Sequence, residues 1–190
     1  STTIISPPAA NKPLVVNVHD LAFRRFPERF PQRARRLFDR SWKRVLERAD
    51  AVVCPSAATS ADLLAAGLDA DRLHLVPLGH EPQIVSAQAA LQVRQKFGVD
   101  GDFILAAGTL EPRKNIPALI EAFSEIAQKT DSQLVLAGPT GWGTTVEELL
   151  GPVDNVTKAR ISITGEITTA ELAALYTEAT VFCYPSLLEG

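Results

Sequence analysis

Two adjacent cations, Arg113 and Lys114, stand in the stretch Gly108-Thr-Leu-Glu-Pro-Arg-Lys-Asn115, between an apolar run and a helical pattern. Cationic side chains beside the unpaired N–H groups of a helix start form an anion site, and phosphate is its usual occupant. The competing reading is a solvated Arg-Lys turn. Other chemistry-bearing residues follow apolar runs in the same way. The first half offers His19-Asp20, Ser56 and Gly79-His80; the second offers Gly138-Pro-Thr-Gly-Trp-Gly143, Gly165-Glu166 and Ser186-Leu-Leu-Glu-Gly190. Glycines recur among them, and glycine lets a ligand approach the backbone. Asp69-Ala-Asp71 has the spacing of a metal-binding acid pair, yet its place between Gly67 and an apolar run fits a polar turn. The three histidines are scattered, so no metal site is expected. Cys54 and Cys183 each close an apolar run and read as buried thiols.

Short apolar runs alternate with helical patterns along the chain. Residues 13–19, 51–55 and 72–79 read as strands, and residues 32–49 as a helix. That helix places Leu37, Phe38, Trp42, Val45, Leu46 and Ala49 on one face and arginines on the other. Ser56 can cap a helix that Gly67 ends. Residues 81–102 are more polar and read as a connector with one short helix. A second series follows, with strands at 103–108, 133–138, 161–164 and 180–185. Asn115 can cap a helix carrying Pro117 in its first turn, with an apolar stripe of Ile116, Leu119, Ile120, Phe123, Ile126 and Ala127. Thr168 and Glu171 have capping-box spacing. This alternation predicts an α/β protein with parallel sheets and right-handed crossovers, whose ligands bind beyond the carboxyl ends of the strands. The segments 49–56 and 178–186 echo one another, as two similar lobes would, although a match so short also arises by coincidence.

The 190 residues are 46% hydrophobic and 22% charged, which fits a soluble globular protein. No run of about 18 apolar residues appears, so a membrane-spanning helix is not expected. The N-terminal residues 1–13 read as a loop rather than a signal peptide, and a cytoplasmic protein fits best. The net charge of −3 hides an asymmetry: residues 24–48 hold ten Arg and Lys against three acids, a balance of +7, so the remainder carries −10. A basic helix face on an acidic protein points to an anionic partner, against the plainer reading of a solvated helix. An amphipathic basic helix over 32–49 suits an anionic membrane surface. No nucleic-acid motif accompanies it, and few aromatics lie among the arginines, so nucleic acid is not the expected partner.

Taken together, His19-Asp-Leu-Ala-Phe23, residues 49–68, 72–79, 106–123, 134–143 and 163–190 resemble the retaining glycosyltransferases of family 4, and bacterial mannosyltransferases of that family more closely. The resemblance implies the two-lobed GT-B architecture: an acceptor-side Rossmann-like lobe containing residues 1–80, the connector 81–102, and a donor-side lobe containing residues 103–190. It implies a nucleotide-sugar co-substrate, GDP-mannose foremost, and no metal or bound cofactor. A hexose would pass to a lipid-linked or polysaccharide acceptor with retention, by a front-face route in which the leaving phosphate takes the acceptor's proton. By position, Lys114 with Arg113 would hold the donor diphosphate, Glu189 and His19 would contact the transferred sugar, and backbone around Gly165, Glu166 and Ile167 would meet the nucleobase. Gly108, Thr109 and Gly138 would complete the nucleotide and sugar loops.

Two departures from the family pattern matter. Thr109 stands where many members carry arginine, so Arg113 is a candidate substitute. The sequence also stops inside the Glu-x7-Glu motif that Glu189 opens, and the first strands of the acceptor lobe are not recognisable. A central piece of an enzyme is expected, with both lobes incomplete and with exposed sheet edges that favour homo-oligomers. Two other functions fit the same residues: a non-catalytic nucleotide-binding fragment, and a sugar-nucleotide epimerase of the same fold.

Overall fold

A computed structural model describes residues 12–141, 143 and 145–189. The N-terminal loop expected before residue 12, and Trp142 of the glycine-rich loop, lie outside the described residues. The chain divides into two compact units, Ser1–His80 with Leu188–Gly190, and Glu81–Leu187.

In the first unit, β1 (Val15–Asn17), β2 (Ala51–Cys54) and β3 (Leu73–Leu75) form a parallel sheet in that order. Val16 pairs with Val52, and Val52 with Leu73. A short helix, α1 (Ala22–Arg25), and a 3-10 turn (Pro27–Arg29) lead into the long helix α2 (Gln32–Arg48). Trp42 and Val45 of α2 pack into a core with Val16, Val18, Val52, Cys54 and Leu63. Leu37, expected on this face, is 46% exposed and lies among the arginines instead. The Arg72 guanidinium donates to the carbonyls of Leu46 and Ala49, both at 3.0 Å, which satisfies the end of α2. The helix α3 (Ala57–Ala65) starts at Ser56, whose hydroxyl accepts the Thr59 amide at 3.0 Å, and Gly67 follows it at φ +93°. Asp69 accepts the Asp71 amide at 3.2 Å and opens a 3-10 turn, so this acid pair shapes the chain locally.

The second unit opens with α4 (Ala87–Lys96), the helix expected within the connector. Its sheet has the order β6-β5-β4-β7, from β4 (Phe103–Ala107), β5 (Gln133–Ala137), β6 (Ile161–Gly165) and β7 (Val181–Phe182). All the strand pairs are parallel. The two central strands read FILAA and QLVLA because both their faces are covered. Phe123, Ile120 and Leu119 of α5 (Ile116–Ala127) pack with Leu134 and Leu136, while Phe103, Leu105 and Val135 pack with Leu175 of α8 (Thr169–Glu178). Ile126, expected in the α5 stripe, is 39% exposed. The capping box of α8 forms as its spacing predicts, with the Thr168 amide and hydroxyl donating to Glu171. Two short helices that the sequence patterns did not mark, α6 (Val146–Leu150) and α7 (Asn155–Lys158), lie between β5 and β6.

Candidate functional site

Beyond the carboxyl ends of β4, β5 and β6, the second unit gathers three loops. The backbone ties them together. Gly108 N–H donates to the Ala137 carbonyl at 2.8 Å, Leu110 N–H to Pro139 at 2.9 Å, and Gly141 N–H to Leu110 at 3.1 Å. Gly138 N–H donates to the Thr164 hydroxyl at 3.3 Å. Glycine permits this closeness. A Cβ on Gly138 would lie 2.2 Å from the Gly108 carbonyl oxygen, and one on Gly141 would lie 2.8 Å from the Thr109 methyl. The face of Gly138 where a Cβ would stand is occupied by Gly108, so this glycine packs the first two loops together. Gly165, at φ +67°, has open space where its Cβ would be. Glu166 is exposed, while Ile167 packs against the core that contains Phe103 and Leu175.

The two cations of the first loop differ in their surroundings. Pro112–Lys114 form a 3-10 turn, and Asn115 follows in a left-handed conformation at φ +55° before α5 begins. Asn115 holds the N-cap position as expected, but its side chain makes no capping hydrogen bond. Arg113 is bound to Glu111, its Nη2 2.8 Å and its Nε 3.0 Å from the same carboxylate oxygen. The Glu111 side chain is only 5% exposed, so its charge is met inside the loop. Lys114 is the more buried of the loop's two cations, with 9% of its surface exposed. Its stem crosses Gly108, with Cε 3.4 Å from the position a Cβ would take there. Its ammonium donates to the Tyr184 hydroxyl and lies 4.6 Å from the centre of that ring. The Arg113 carbonyl accepts the Leu187 amide at 3.0 Å, which fixes the segment after β7 beside the loop. Ser186, in that segment, has a buried hydroxyl without a hydrogen-bond partner among the described residues.

Glu111 and Tyr184 are the functional candidates that sequence reasoning passed over. Glu111 left a local signal, an acid two residues before an arginine in a turn. Tyr184 left none, since 70 residues separate it from Lys114.

Of the remaining candidates, His19 and Glu189 group with the first unit, and both are exposed. His19 follows β1, with its Nε2 3.4 Å from the Asn17 side-chain nitrogen. Its carbonyl accepts the buried Thr59 hydroxyl at 2.9 Å, so the first turn of α3 holds its backbone. Among the described residues, no three His, Cys, Asp or Glu side chains gather as metal ligands, and no helix is long and apolar enough to cross a membrane. Cys54 is buried at the end of β2, and burial pushes its thiol pKa up.

Comparison with known proteins agrees with this architecture. Residues 3–84 match the family model described as Glycosyltransferase Family 4, and residues 101–190 match that of Glycosyl transferases group 1. The chain is 29% identical to the O-antigen chain mannosyltransferase B of Escherichia coli over 93% of its own length and 48% of the relative's. It is also 29% identical to the serotype-specific mannosyltransferase WbdA of Escherichia coli, over 76% of this chain and 19% of that protein. The chain thus spans about half, or less, of the length of these relatives. Among solved structures, Anabaena HepE in complex with UDP and glucose superposes with a TM-score of 0.74, at 22% identity, over 92% of this chain and 46% of that one. WaaG, a glycosyltransferase involved in lipopolysaccharide biosynthesis, superposes with a TM-score of 0.72 at 16% identity, over 96% of this chain and 55% of that one. With each half of the sequence matching a glycosyltransferase model and the fold matching solved GT-B enzymes, the chain belongs to the family 4 and group 1 glycosyltransferases.

Proposed function

We propose that this chain forms the central part of a retaining hexosyltransferase, one that moves mannose from GDP-mannose to a lipid-linked or polysaccharide acceptor. The observation that carries the reading is the buried Lys114 cation beyond the carboxyl end of β4, set among loops whose glycines bring their backbones together. Such a cation offsets the charge that grows on a leaving diphosphate as the glycosidic bond breaks, and it does so best where water is excluded. Identity of 29% to mannosyltransferases supports a hexose and favours mannose. In this reading Lys114 holds the diphosphate, and Arg113, already neutralised by Glu111, shapes the loop and contributes less charge than a free guanidinium would. Backbone at Gly165–Ile167 meets the nucleobase, while His19 and Glu189 contact the transferred sugar. The nucleotide-sugar is a co-substrate, and the reading requires no metal.

The test is calorimetric titration of the protein at its native length with GDP-mannose, UDP-glucose and ADP-glucose, followed by product analysis. Charge-assisted hydrogen bonds to phosphate are worth about 1.5–3 kcal/mol, so Lys114→Ala should weaken donor binding roughly 10- to 150-fold. Unchanged affinity in that variant would remove the diphosphate assignment. Donor binding without transfer to any acceptor would favour the nucleotide-binding fragment, and a changed sugar nucleotide formed without acceptor would favour the epimerase.

The reading extends to where the enzyme works, at the cytoplasmic face of the membrane. Arg33, Arg36 and Arg40 line a concavity of about 420 Å³ on α2 with Leu37. None of the three arginines is in an ion pair among the described residues. Guanidinium groups around an exposed leucine match an anionic lipid surface, where charge attracts and one apolar side chain can insert.

A further inference from the structure

Lysine is a poor choice for a fixed cation unless something fixes it. Its charge sits at the end of a flexible four-carbon stem, without the planar fork that preorganises arginine. In this unit the far end of the Lys114 side chain is confined on two sides. Gly108 lets it lie across the backbone, and the ammonium meets Tyr184, whose hydroxyl accepts its hydrogen bond and whose ring lies 4.6 Å away. Tyr184 is itself braced. Its ring stacks on Phe182 at 5.7 Å, and Phe182 meets Tyr176 edge-on at 5.0 Å. The Leu187 amide, bonded to the Arg113 carbonyl at 3.0 Å, sets the spacing between the two segments.

We propose that Tyr184 is a positioning residue for the donor diphosphate: it holds the Lys114 ammonium in place before the ligand arrives, an inference that rests on the diphosphate reading of Lys114. The chemistry suits the task. The phenol oxygen accepts from the ammonium, which leaves the phenol's own proton as a donor of the right polarity for the same anion. The neutral phenol holds Lys114 without cancelling its charge. A carboxylate in its place would do what Glu111 does to Arg113. Preorganisation of this kind lowers the ordering cost of binding and adds no contact area.

The test is a double-mutant cycle read by calorimetry on the protein at its native length, with GDP and UDP titrated and the tighter of the two carried through. Tyr184→Phe keeps the ring and its stacking but removes the hydroxyl, and should weaken binding about fivefold, the worth of one net hydrogen bond. Tyr184→Leu, which also removes the ring face, should weaken it further. In a Lys114→Met background, Tyr184→Phe should change affinity by less than about twofold, because the group through which it acts is gone. Tyr184→Phe also takes a partner from a buried ammonium, so the melting temperature of the unliganded variant should fall by about 4–8 °C, the equivalent of one net hydrogen bond, and binding is compared well below it. Binding unaltered by Tyr184→Phe, with Lys114→Met still impaired, would overturn this inference and leave the diphosphate reading standing. An equal loss from Tyr184→Phe in both backgrounds would overturn it too, because the effect would not pass through Lys114. If Lys114→Met itself binds normally, the diphosphate reading fails first.

Discussion

Replacing Gly138 by alanine should damage the second unit more than any other single methyl added to its loops. The added Cβ would stand 2.2 Å from the Gly108 carbonyl oxygen and 2.7 Å from its carbonyl carbon. Ordinary contact begins near about 3.5 Å, so one of the two backbones must move by more than about 1 Å. Neither is free to do so, because Gly108 N–H is bonded to the Ala137 carbonyl at 2.8 Å, one residue before the substitution. Gly138 also lies at φ +144°, where a side chain costs about 1–3 kcal/mol. Overpacking adds about 1–3 kcal/mol, and the stiffer unfolded chain returns about 0.4–1 kcal/mol. The net loss is roughly 3 kcal/mol, or about 12–24 °C in melting temperature for a unit of this size. Gly165→Ala is the control. At φ +67° with open space around the new methyl, it carries only the left-handed penalty of about 1–2 kcal/mol less the same offset. Differential scanning calorimetry of both variants beside the parent gives the comparison. The affinity for GDP should fall in Gly138→Ala as well, because Lys114 Cε lies 3.4 Å from where a Gly108 Cβ would be and must follow any shift of that backbone. Equal melting temperatures for the two alanine variants would refute the packing account of Gly138.

The pH dependence of stability gives a second check. The Glu171 carboxyl is held down to about 2, first by its hydrogen bond from Lys96 of α4 and then by the Thr168 amide and hydroxyl. A depressed carboxylate stabilises the fold fully above its unfolded value near 4.5, and that contribution fades as pH falls toward 2. Glu171→Gln should therefore melt below the parent at pH 7, with a gap that narrows between pH 4.5 and 2; a gap of constant size across that window would count against the pairing. On α2, reversing Arg33, Arg36 and Arg40 to glutamate should abolish sedimentation with vesicles containing phosphatidylserine. At about 1 kcal/mol per basic residue near the surface, the loss of three is worth roughly 100-fold, before any repulsion from the new charges. Added salt should weaken the parent's binding in the same direction. Equal binding of the parent to neutral and anionic vesicles would remove the membrane assignment.

What the sequence disclosed followed the range of the interaction involved. The capping box of α8 was legible because Thr168 and Glu171 are three residues apart, and so was the Ser56 cap of α3. The parallel sheets were legible because FILAA and, after its first residue Gln133, QLVLA are unbroken apolar runs, as strands covered on both faces tend to be. Strand ends were not. The apolar runs at 72–79 and 180–185 extend past their ladders, which among the described residues hold only Leu73–Leu75 and Val181–Phe182. Leu37 sits at the margin of the apolar face of α2, where helical period alone does not decide which side it joins.

The candidate site divides along the same line. That Arg113 and Lys114 follow a strand and precede a helix is local and could be read directly. That Glu111 neutralises the first while Tyr184 cradles the second depends on burial and on a segment 70 residues away. The glycines show the limit most sharply. Gly138 and Gly165 look alike in sequence, each closing a strand at a loop, yet one is required by the backbone it touches and the other only by its φ angle. A site built where loops meet owes its geometry to pairs such as Gly108 with Gly138. Such a pair leaves no trace in either residue's own neighbourhood, so the cations could be found by reading and their separate tasks could not.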